Sequence, residues 1–335
     1  MSITIKDIAR ETGFSVATVS RVLSDKTGFF SPQTAIIVRE AAANLGYKKN
    51  MAATELVTQK SNVIAVIVNS TKTNFSDQII NGIQKRADEA EKRVIILYAG
   101  DRNERAQKIA LSTALERPIL GILLLSVDLF PSNLDILTSS QIPFYFLSIS
   151  FKNNELNYIS SDDQEIGYQA TRYLLEQGHK NIGIAGLDIT NSAHTGVLRF
   201  KGYQQALNES GITFKQHWLQ TGDYSYESGI IALRNYCLNK DVTAVIAASD
   251  LVGIGILNEC SHLKINVPAE LSIITIDGTN LCKLVRPQLS SVTQDFYRMG
   301  YLGTTYLINS AQNNAYTSII INQRQSVQKI SSTDY

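Results

Sequence analysis

Cysteine is scarce in this chain, which has three among its 335 residues. Cys237, Cys260 and Cys282 are too few and too scattered for a disulfide framework, and no Cys/His pair has the spacing of zinc ligands. This usage argues against a disulfide-stapled secreted domain and against a zinc module. We therefore expect a protein of the reducing cytosol that needs no metal or other cofactor.

Long apolar runs are also missing. No stretch approaches the roughly 20 consecutive apolar residues that a membrane-spanning helix needs. The first ten residues, MSITIKDIAR, lack the basic segment followed by an apolar core that is typical of a secretory signal. We expect a soluble, cytoplasmic protein without a membrane partner.

The chain has no large excess of charge of either sign. Its formal net charge of +1 excludes a globally basic nucleic-acid coat protein. The first 60 residues, however, contain eight Lys or Arg against five Asp or Glu, so this segment is positive and the remainder is slightly negative. The asymmetry indicates that the N-terminal segment, rather than the whole molecule, faces a polyanion.

Catalytic motifs are absent from the sequence. The four histidines lie in different segments, and there is no Gly-x-Ser-x-Gly elbow and no P-loop. The sequence GIGIL from Gly253 is a lone Gly-x-Gly inside a helical pattern, which is weak support for a nucleotide site. We expect a binding protein rather than an enzyme.

What the sequence does contain begins with three short helical patterns in the first 60 residues. In IKDIARETG, Ile5 and Ile8 share one helical face and Gly13 ends the helix. The third pattern starts at Pro32 and ends at Gly46. The residues that we expect this third helix to bury are Ile36, Ile37, Ala41 and Leu45. Short helices joined by a turn at glycine are typical of a helix-turn-helix unit.

The second helix, FSVATVSRVL, has an unusual surface. Ser15 is its N-cap candidate, and the side chains spaced to pack inward are Val19, Val22 and Leu23. The opposite face carries Val16, Ala17, Ser20 and Arg21. We interpret this face as the one that enters the DNA major groove, because short side chains permit close approach and an Arg can contact guanine O6 and N7. The alternative is an ordinary helical domain with a sparse outer face or a protein-binding one.

Residues 48–60 form a polar segment with one large aliphatic side chain, Leu56. We predict a linker that becomes helical only with a partner. The expected organisation is a helix-turn-helix DNA-binding headpiece at 1–47, a hinge at 48–60 and an effector-binding and dimerisation core at 61–335.

The core alternates short apolar runs with amphipathic helical patterns. The runs span residues 62–69, 93–99, 119–126, 142–150, 181–186, 244–249 and 271–277. Strands buried on both faces have this pattern, so we predict an α/β fold with parallel sheets. Because the 275 residues of the core are too many for a single sheet, we expect two doubly wound subdomains with a ligand cleft at the strand carboxyl ends. Their expected bounds are about 61–158 with 291–325, and about 159–290.

Two sequence blocks resemble a known family. TIKDIA...G.S.ATVSRVL and NLGY, followed by a linker with N..A..L and an α/β core, are similar to the lactose/galactose-repressor family of bacterial transcription regulators, whose core is periplasmic-binding-protein-like. The resemblance covers essentially the whole chain and is closest to galactose-type repressors. It implies that the residues which position the headpiece on the DNA backbone are Thr4, Ser15, Thr18, Ser20, Ser31 and Tyr47. It implies base contacts by Val16, Ala17 and Arg21.

The resemblance also concerns the linker. Asn50 and Ala53 would lie in a hinge helix, and Leu56 would be a wedge in the minor groove at the operator centre. A large apolar side chain in a linker without a broad apolar stripe has little else to bury it, and insertion of a wedge costs a few kcal/mol of unstacking and gains a bent duplex. The alternative is that Leu56 packs on the core. Lys49 stands where the family usually has Pro, which removes a rigid helix start.

The expected ligand contacts follow predicted strands or lie in nearby helices. By resemblance, Arg199 binds effector hydroxyl or carboxylate groups and Asp277 accepts sugar hydroxyls. Further candidates at matching positions are Asn69, Phe75, Ser148, Tyr224, Ser249, Asp250 and Phe296. Charge-assisted hydrogen bonds and aromatic stacking suit a small polyol.

Several of these candidates also have a structural interpretation. Phe75 and Tyr224 are equally consistent with plain packing, and Asp250 with a helix N-cap. Ser249 holds a position that often carries Asn. Ser148 stands where the family usually has Asp, so one strong acceptor for a sugar hydroxyl is weakened and the effector is left open.

The sequence therefore predicts a DNA-binding regulator, a repressor of a sugar uptake or catabolism operon controlled by a small sugar or sugar phosphate. We expect a homodimer on a pseudo-palindromic operator, without the leucine heptads that a tetramer would use. The alternatives are a soluble sugar-binding protein or a small-molecule enzyme on the same core. Neither explains residues 1–60.

Overall fold

The computed structural model describes residues 3–24, 28–47, 61–69, 74–100, 102–151, 156–190 and 194–330. The chain divides into two units, Met1–Lys60 and Ser61–Tyr335. The residues predicted to form the hinge, Asn50, Ala53 and Leu56, lie outside the described residues. Among the helices in these ranges, none is both long and apolar enough to cross a membrane.

The first unit is a three-helix headpiece. Its helices are α1 (Ile5–Thr12), α2 (Val16–Leu23) and α3 (Pro32–Asn44). Gly13 takes the left-handed conformation, with φ of 72°, that ends α1 and turns the chain toward α2. The residues that form hydrogen bonds within the first turn of each helix are Thr4, Ser15 and Ser31. The predicted helix-turn-helix order is confirmed.

The three helices enclose one small hydrophobic core. Its buried members are Ile8, Ala9, Val19, Val22, Ala35, Val38 and Ala42. The inward face predicted for α2 is confirmed, because Val19 and Val22 are fully buried and Leu23 packs against the same core. The opposite face of α2 is thereby left outside the headpiece core.

The residues predicted to face inward on α3 are not the ones that the headpiece core buries. Ile36 and Ile37 are 50% and 38% exposed, and Ala41 and Leu45 are only partly buried. The inward positions are instead 35, 38 and 42, which carry Ala, Val and Ala. Each residue turns the helix by about 100°, so isoleucines beside these positions point away from the core. Small side chains allow α3 to pack closely on α1 and α2.

The described residues of the second unit form two six-stranded sheets. The strands of the first sheet are β1 (Val63–Val68), β2 (Arg93–Tyr98), β3 (Gly121–Leu125), β4 (Phe144–Leu147), β5 (Tyr158–Ser160) and β11 (Ala315–Tyr316). Those of the second are β6 (Ile182–Leu187), β7 (Leu219–Thr221), β8 (Ala244–Ala247), β9 (Ser272–Asp277), β10 (Ser290–Gln294) and β12 (Ile319–Asn322).

Both sheets have the doubly wound strand order. The first is ordered β11-β5-β4-β3-β1-β2 and the second β12-β10-β9-β8-β6-β7. Every pairing is parallel except that of β10 with β12. The helices between the strands are α4 (Ser76–Glu89), α5 (Glu104–Leu115), α6 (Pro131–Ser139), α7 (Asp163–Glu176), α8 (His194–Glu209), α9 (Tyr226–Asn239), α10 (Asp250–Leu263), α11 (Leu281–Leu284) and α12 (Phe296–Ile308).

Alternate residues of each central strand pack in different hydrophobic layers. In β1, Ile64 and Val66 belong to one cluster while Ala65 and Ile67 belong to another on the opposite face. Strands covered on both faces are continuous apolar runs rather than alternating ones. All seven apolar runs predicted as strands contain strands, and the α/β doubly wound class is confirmed.

The remaining strands were not predicted from the sequence, and two of them change the boundary between the two subdomains. Strand β10 has the sequence SSVTQ, which is too polar to stand out as a buried run. It lies in the second sheet, as does β12, whereas residues 291–325 were all expected in the first subdomain. The chain instead returns to the first subdomain only from α12 to β11. The chain therefore crosses between the subdomains after β5, after β10 and after β11.

Candidate DNA-recognition surface and ligand cleft

The outer face of α2, formed by Val16, Ala17, Ser20 and Arg21, is the candidate recognition surface. Val16 is 47% exposed, Ala17 and Arg21 are exposed, and Ser20 is half-buried. Ser15 Oγ accepts a hydrogen bond of 3.1 Å from the Thr18 backbone N–H. The cap holds the first turn in place, and the surface carries short side chains and one arginine but no acidic group, as insertion into a major groove requires.

Arg21 of this surface contacts Phe29, an aromatic residue outside the set predicted from the sequence. The Arg21 guanidinium carbon lies 5.4 Å from the ring centroid of Phe29, which is 65% exposed. A guanidinium group is attracted to the face of an aromatic ring, and the contact restricts its rotamers. The signal in the sequence was the pair FF just before Ser31, because an exposed aromatic residue in a turn needs a contact.

The other headpiece candidates lie mostly at helix starts. Thr4 Oγ1 donates to Asp7 Oδ2 at 2.7 Å, and Ser31 Oγ accepts from the Thr34 backbone N–H at 3.1 Å. Tyr47 is half-buried and packs on the headpiece core. Helix N-termini carry partial positive charge and free N–H groups, which suit phosphate oxygens.

The cleft is the space between the carboxyl ends of the two sheets, bounded by Asn69, Ser126 and Ser148 on one side and by Asp188, Tyr224 and Asp277 on the other. Four of these residues have positive φ: 52° at Ser126, 64° at Ser148, 63° at Tyr224 and 103° at Asp277. Left-handed conformations of non-glycine residues are costly and concentrate at functional sites. They mark the strand ends as the place where a ligand binds such folds.

Arg199 of α8 is the buried cation of the cleft and is 6% exposed. Its Nε donates to Asp163 Oδ1 at 2.9 Å and its Nη1 donates to the Ala248 carbonyl at 3.0 Å. Asp163, the first residue of α7, was not among the residues predicted from the sequence. A Cβ at Gly167 would lie 1.9 Å from the Arg199 carbonyl oxygen, so α7 and α8 pack backbone to backbone there. This close packing fixes the ion pair.

Asp277 ends β9 beside Arg199 and is buried. Gln294 Nε2 donates to its Oδ1 at 2.9 Å. Burial and the nearby Asp250 carboxylate raise the pKa of Asp277 well above its usual range, although the Arg199 guanidinium opposes the shift. The second carboxyl oxygen is suited to a ligand hydroxyl. Gln294 was missed because its strand was not predicted.

Asp250 has a structural role in the cleft floor. Its carboxylate accepts from Thr275 Oγ1 at 2.7 Å, from the Gly278 backbone N–H at 3.1 Å and from the Thr279 backbone N–H at 2.6 Å. The N-cap of α10 is Ser249 rather than Asp250, because Ser249 Oγ accepts from the Val252 backbone N–H at 3.2 Å. The carboxylate of Asp250 therefore holds the loop after Asp277.

Three buried polar atoms in the cleft have no hydrogen-bond partner among the described residues. They are Asn69 Oδ1, Ser126 Oγ and Tyr224 OH. Burial raises the pKa of Tyr224 to about 12, so the phenol stays uncharged at neutral pH. An unsatisfied buried polar atom costs about 1–3 kcal/mol, which a bound hydroxyl would recover. Ser126 was not among the sequence candidates.

The aromatic candidates Phe75 and Phe296 contact each other. Their ring centroids are 4.5 Å apart with planes 9° from parallel, and both rings are buried in a hydrophobic cluster of the first subdomain. Ser148 donates its backbone N–H to the Ile159 carbonyl at 3.0 Å. Its short side chain leaves more room than an Asp would.

The mouth of the cleft is bridged by charged and aromatic residues. Arg102, which follows β2, donates from Nη2 to Asp188 Oδ2, which follows β6, so this ion pair joins the two subdomains. The rings of Phe151 and His194 also meet across the mouth at 6.4 Å. Within the described ranges, no group of three His, Cys, Asp or Glu side chains is placed to hold a metal ion.

A headpiece with a bare recognition helix and a separate core with a polar cleft define a DNA-binding regulator with a ligand-binding domain. Residues 4–50 match the lacI family of bacterial regulatory proteins, and residues 61–278 match the periplasmic binding proteins and sugar binding domain of the LacI family. The chain belongs to the LacI family of transcription regulators.

Individual relatives support the same assignment. Catabolite control protein A of Priestia megaterium is 30% identical over 323 residues, which cover 96% of each chain. The crystal structure of a transcription regulator from Lactobacillus plantarum is 43% identical, covers 80% of this chain and 100% of that chain, and superposes with a TM-score of 0.74. The lac repressor dimer bound to operator and the anti-inducer ONPF is 24% identical, covers 98% and 100%, and shares the fold with a TM-score of 0.86.

Proposed function

We propose that the chain is a cytoplasmic repressor of an operon for sugar uptake or catabolism, and that a small sugar in the cleft controls it. The observation that carries the proposal is the exposed face of α2, which has short side chains and one arginine and lies on a capped helix, in a chain that also has a polar cleft. A sugar-binding protein that does not bind DNA, or an enzyme, would have no role for the headpiece.

The recognition surface would enter the major groove. In this proposal Val16 and Ala17 contact thymine methyl groups, and Arg21 donates two hydrogen bonds to guanine O6 and N7. The hydroxyls and the phenol that would contact phosphates are those of Thr4, Ser15, Thr18, Ser20, Ser31 and Tyr47. Support comes from their exposed or half-buried positions at helix starts and on α2.

The hinge assignments belong to the same proposal. Asn50 and Ala53 would form a helix over the operator centre, and Leu56 would unstack a base step there. Two headpieces of a homodimer would contact two half-sites of a pseudo-palindrome, because a two-fold assembly meets a two-fold site.

Effector binding would use both walls of the cleft. Arg199 and Asp277 would bond sugar hydroxyls, and Asn69, Ser126 and Tyr224 would complete the set. Phe75 with Phe296 would form an apolar wall, while Ser148, Ser249 and Asp250 would shape the floor. The orphaned polar atoms and the left-handed strand ends support this placement.

The effector would act by changing the angle between the subdomains. Three crossovers join the subdomains, so closure of the cleft moves the first subdomain as a body and thereby the segment that leads to the headpiece. The effector's leverage equals its differential affinity for the two arrangements.

A gel-shift titration tests the proposal. The purified chain should shift a palindrome from its gene's own upstream DNA at least a hundredfold more tightly than random DNA at the same salt concentration. Failure with every upstream palindrome at low salt would contradict the repressor assignment.

A further inference from the structure

We propose that the cleft selects an uncharged, hydroxyl-rich sugar and rejects sugar phosphates and sugar acids. This inference rests on the proposed function, since it takes the cleft as the effector site, and it narrows the class of effector. The observation behind it is that both guanidinium groups in the described part of the cleft already have carboxylate partners.

The first of these groups, Arg199, carries no spare positive charge. Asp163 pairs with it at 2.9 Å, and Asp277 lies close enough to interact with the same guanidinium. Sites for phosphate or carboxylate rely on guanidinium or ammonium groups whose charge is available to the ligand. Arg199 can donate a hydrogen bond to a hydroxyl, but its charge is already balanced by the protein.

The second group, Arg102, is committed to Asp188 at the mouth. Asp128 lies close to both Arg102 and His194, and burial raises the pKa of its carboxyl group. In the described part of the cleft, Asp163 and Asp188 balance the two guanidinium groups, and the carboxyl groups of Asp128 and Asp277 add no positive charge. A phosphate would lose its hydration without gaining an unbalanced positive charge, a cost that an uncharged sugar escapes.

The charge balance does not depend on the proton at Asp277. When Asp277 binds a proton, Arg199 and Asp163 remain a neutral pair. When Asp277 is ionised, the same cluster gains a negative charge. In neither state does the floor of the cleft attract an anion.

The unpaired atoms of the cleft have the chemistry of sugar recognition. Asn69 Oδ1 accepts a hydrogen bond, and the hydroxyls of Ser126 and Tyr224 both donate and accept. Sugar hydroxyls can match all three atoms. The dianionic phosphate group of a sugar phosphate offers only acceptors, so this group cannot take the place of a sugar hydroxyl at the Asn69 oxygen. The geometry and the charge thus agree on a neutral ligand.

Matched sugar pairs test the proposal on the full-length native chain. Calorimetric titration at fixed ionic strength would compare glucose with glucose 6-phosphate and with gluconate, ribose with ribose 5-phosphate, fructose with fructose 6-phosphate, and sucrose with sucrose 6-phosphate. At least one neutral sugar should bind, and its phosphate should bind at least tenfold more weakly. Equal or tighter binding of a phosphate or acid overturns the proposal, and so does a lack of binding by every neutral sugar.

Charge-neutralising variants provide a test that needs no knowledge of the natural effector. Asp163→Asn removes the carboxylate that pairs with Arg199, so the guanidinium charge is no longer balanced, and the variant should be stabilised by inorganic phosphate relative to chloride at equal ionic strength. If this variant fails to fold, Asp188→Asn removes the carboxylate partner of Arg102 at the mouth and should have the same effect. Asp277→Asn leaves the Arg199–Asp163 pair intact and should show no such stabilisation. Glu209→Gln removes the same charge from the surface of α8 and is the matched control.

The two tests separate the proposals. If phosphate stabilises the native chain as much as it stabilises the cleft variant, the charge of Arg199 is not balanced by the protein and the proposal is wrong. If the chain binds no operator either without ligand or with the sugar that the titration identifies, the proposed function is contradicted, while the comparison of sugars with their phosphates still stands.

Discussion

The ion pair between Arg102 and Asp188 offers a direct handle on how the cleft closes. It connects the loop after β2 with the loop after β6, so it forms only when the subdomains approach. Arg102→Ala removes it without touching the cleft floor. We expect the variant to bind its sugar more weakly, because part of the free energy that holds the cleft closed is lost.

The size of the expected loss of sugar affinity follows from the solvent exposure of the two side chains. The Arg102 side chain is 62% exposed and the Asp188 side chain 10% exposed. Screening limits exposed ion pairs to about 0.2–1 kcal/mol. A value of about 1 kcal/mol corresponds to about a fivefold loss of sugar affinity. The assay is calorimetric titration with the sugar that the panel identifies, repeated at high salt, where the difference between variant and native chain should shrink.

The matched control is a second ion pair with nearly the same exposure. Arg234 and Glu259 pair at 2.8 Å, with side chains 62% and 7% exposed, but both lie in the second subdomain. Arg234→Ala should therefore leave sugar affinity unchanged. If Arg102→Ala binds sugar as tightly as the native chain, or if Arg234→Ala loses as much sugar affinity, the Arg102–Asp188 pair does not hold the cleft closed.

Three further predictions concern the recognition surface and the cleft floor. Phe29→Leu should weaken operator binding by about 0.5–1 kcal/mol, with little effect on random DNA, because Arg21 loses its aromatic contact; equal losses in fluorescence anisotropy on both DNAs would contradict this. Gly167→Ala should lower thermal stability by about 1–3 kcal/mol and weaken sugar binding, since a new methyl group would push against Arg199; an unchanged melting temperature would refute the close approach. Asp277→Asn should be more stable than the native chain at neutral pH. The pKa of the Asp277 carboxyl group is higher in the folded chain than in the unfolded chain, so its contribution to folding stability is fully present at a pH below the unfolded pKa. This contribution is lost as the pH rises through the folded pKa, and it amounts to about 1.4 kcal/mol for each unit by which the two pKa values differ. A stability difference that stays constant from pH 4 to pH 8 would contradict this prediction.

Sequence patterns predicted the parts of the fold that depend on local periodicity. The seven buried runs became strands because a strand covered on both faces must be apolar throughout. The inward face of α2 followed from Val19 and Val22, and capping residues fixed the helix starts. The polar strand β10 was missed because its neighbours in the sheet, not its own composition, hold it there.

Packing decided what periodicity left open. In α3, a count of large aliphatic residues favoured Ile36 and Ile37, yet close helix packing selected the small residues at positions 35, 38 and 42. Asp163 was missed because it is far from Arg199 in sequence and meets it only where α7 contacts α8. The bond of Gln294 to Asp277 and the ion pair across the mouth are likewise contacts of tertiary structure.

The central claim is that the exposed face of α2 contacts base edges, and base selectivity tests it most directly. Fluorescence anisotropy would compare Arg21→Ala with Arg10→Ala, which removes an exposed arginine from α1, on operator and on random DNA at one salt concentration. We expect Arg21→Ala to lose about 1–3 kcal/mol on the operator alone and to relax the base preference at one position of each half-site, while Arg10→Ala keeps the native preference. Equal weakening of both DNAs by Arg21→Ala would contradict the claim.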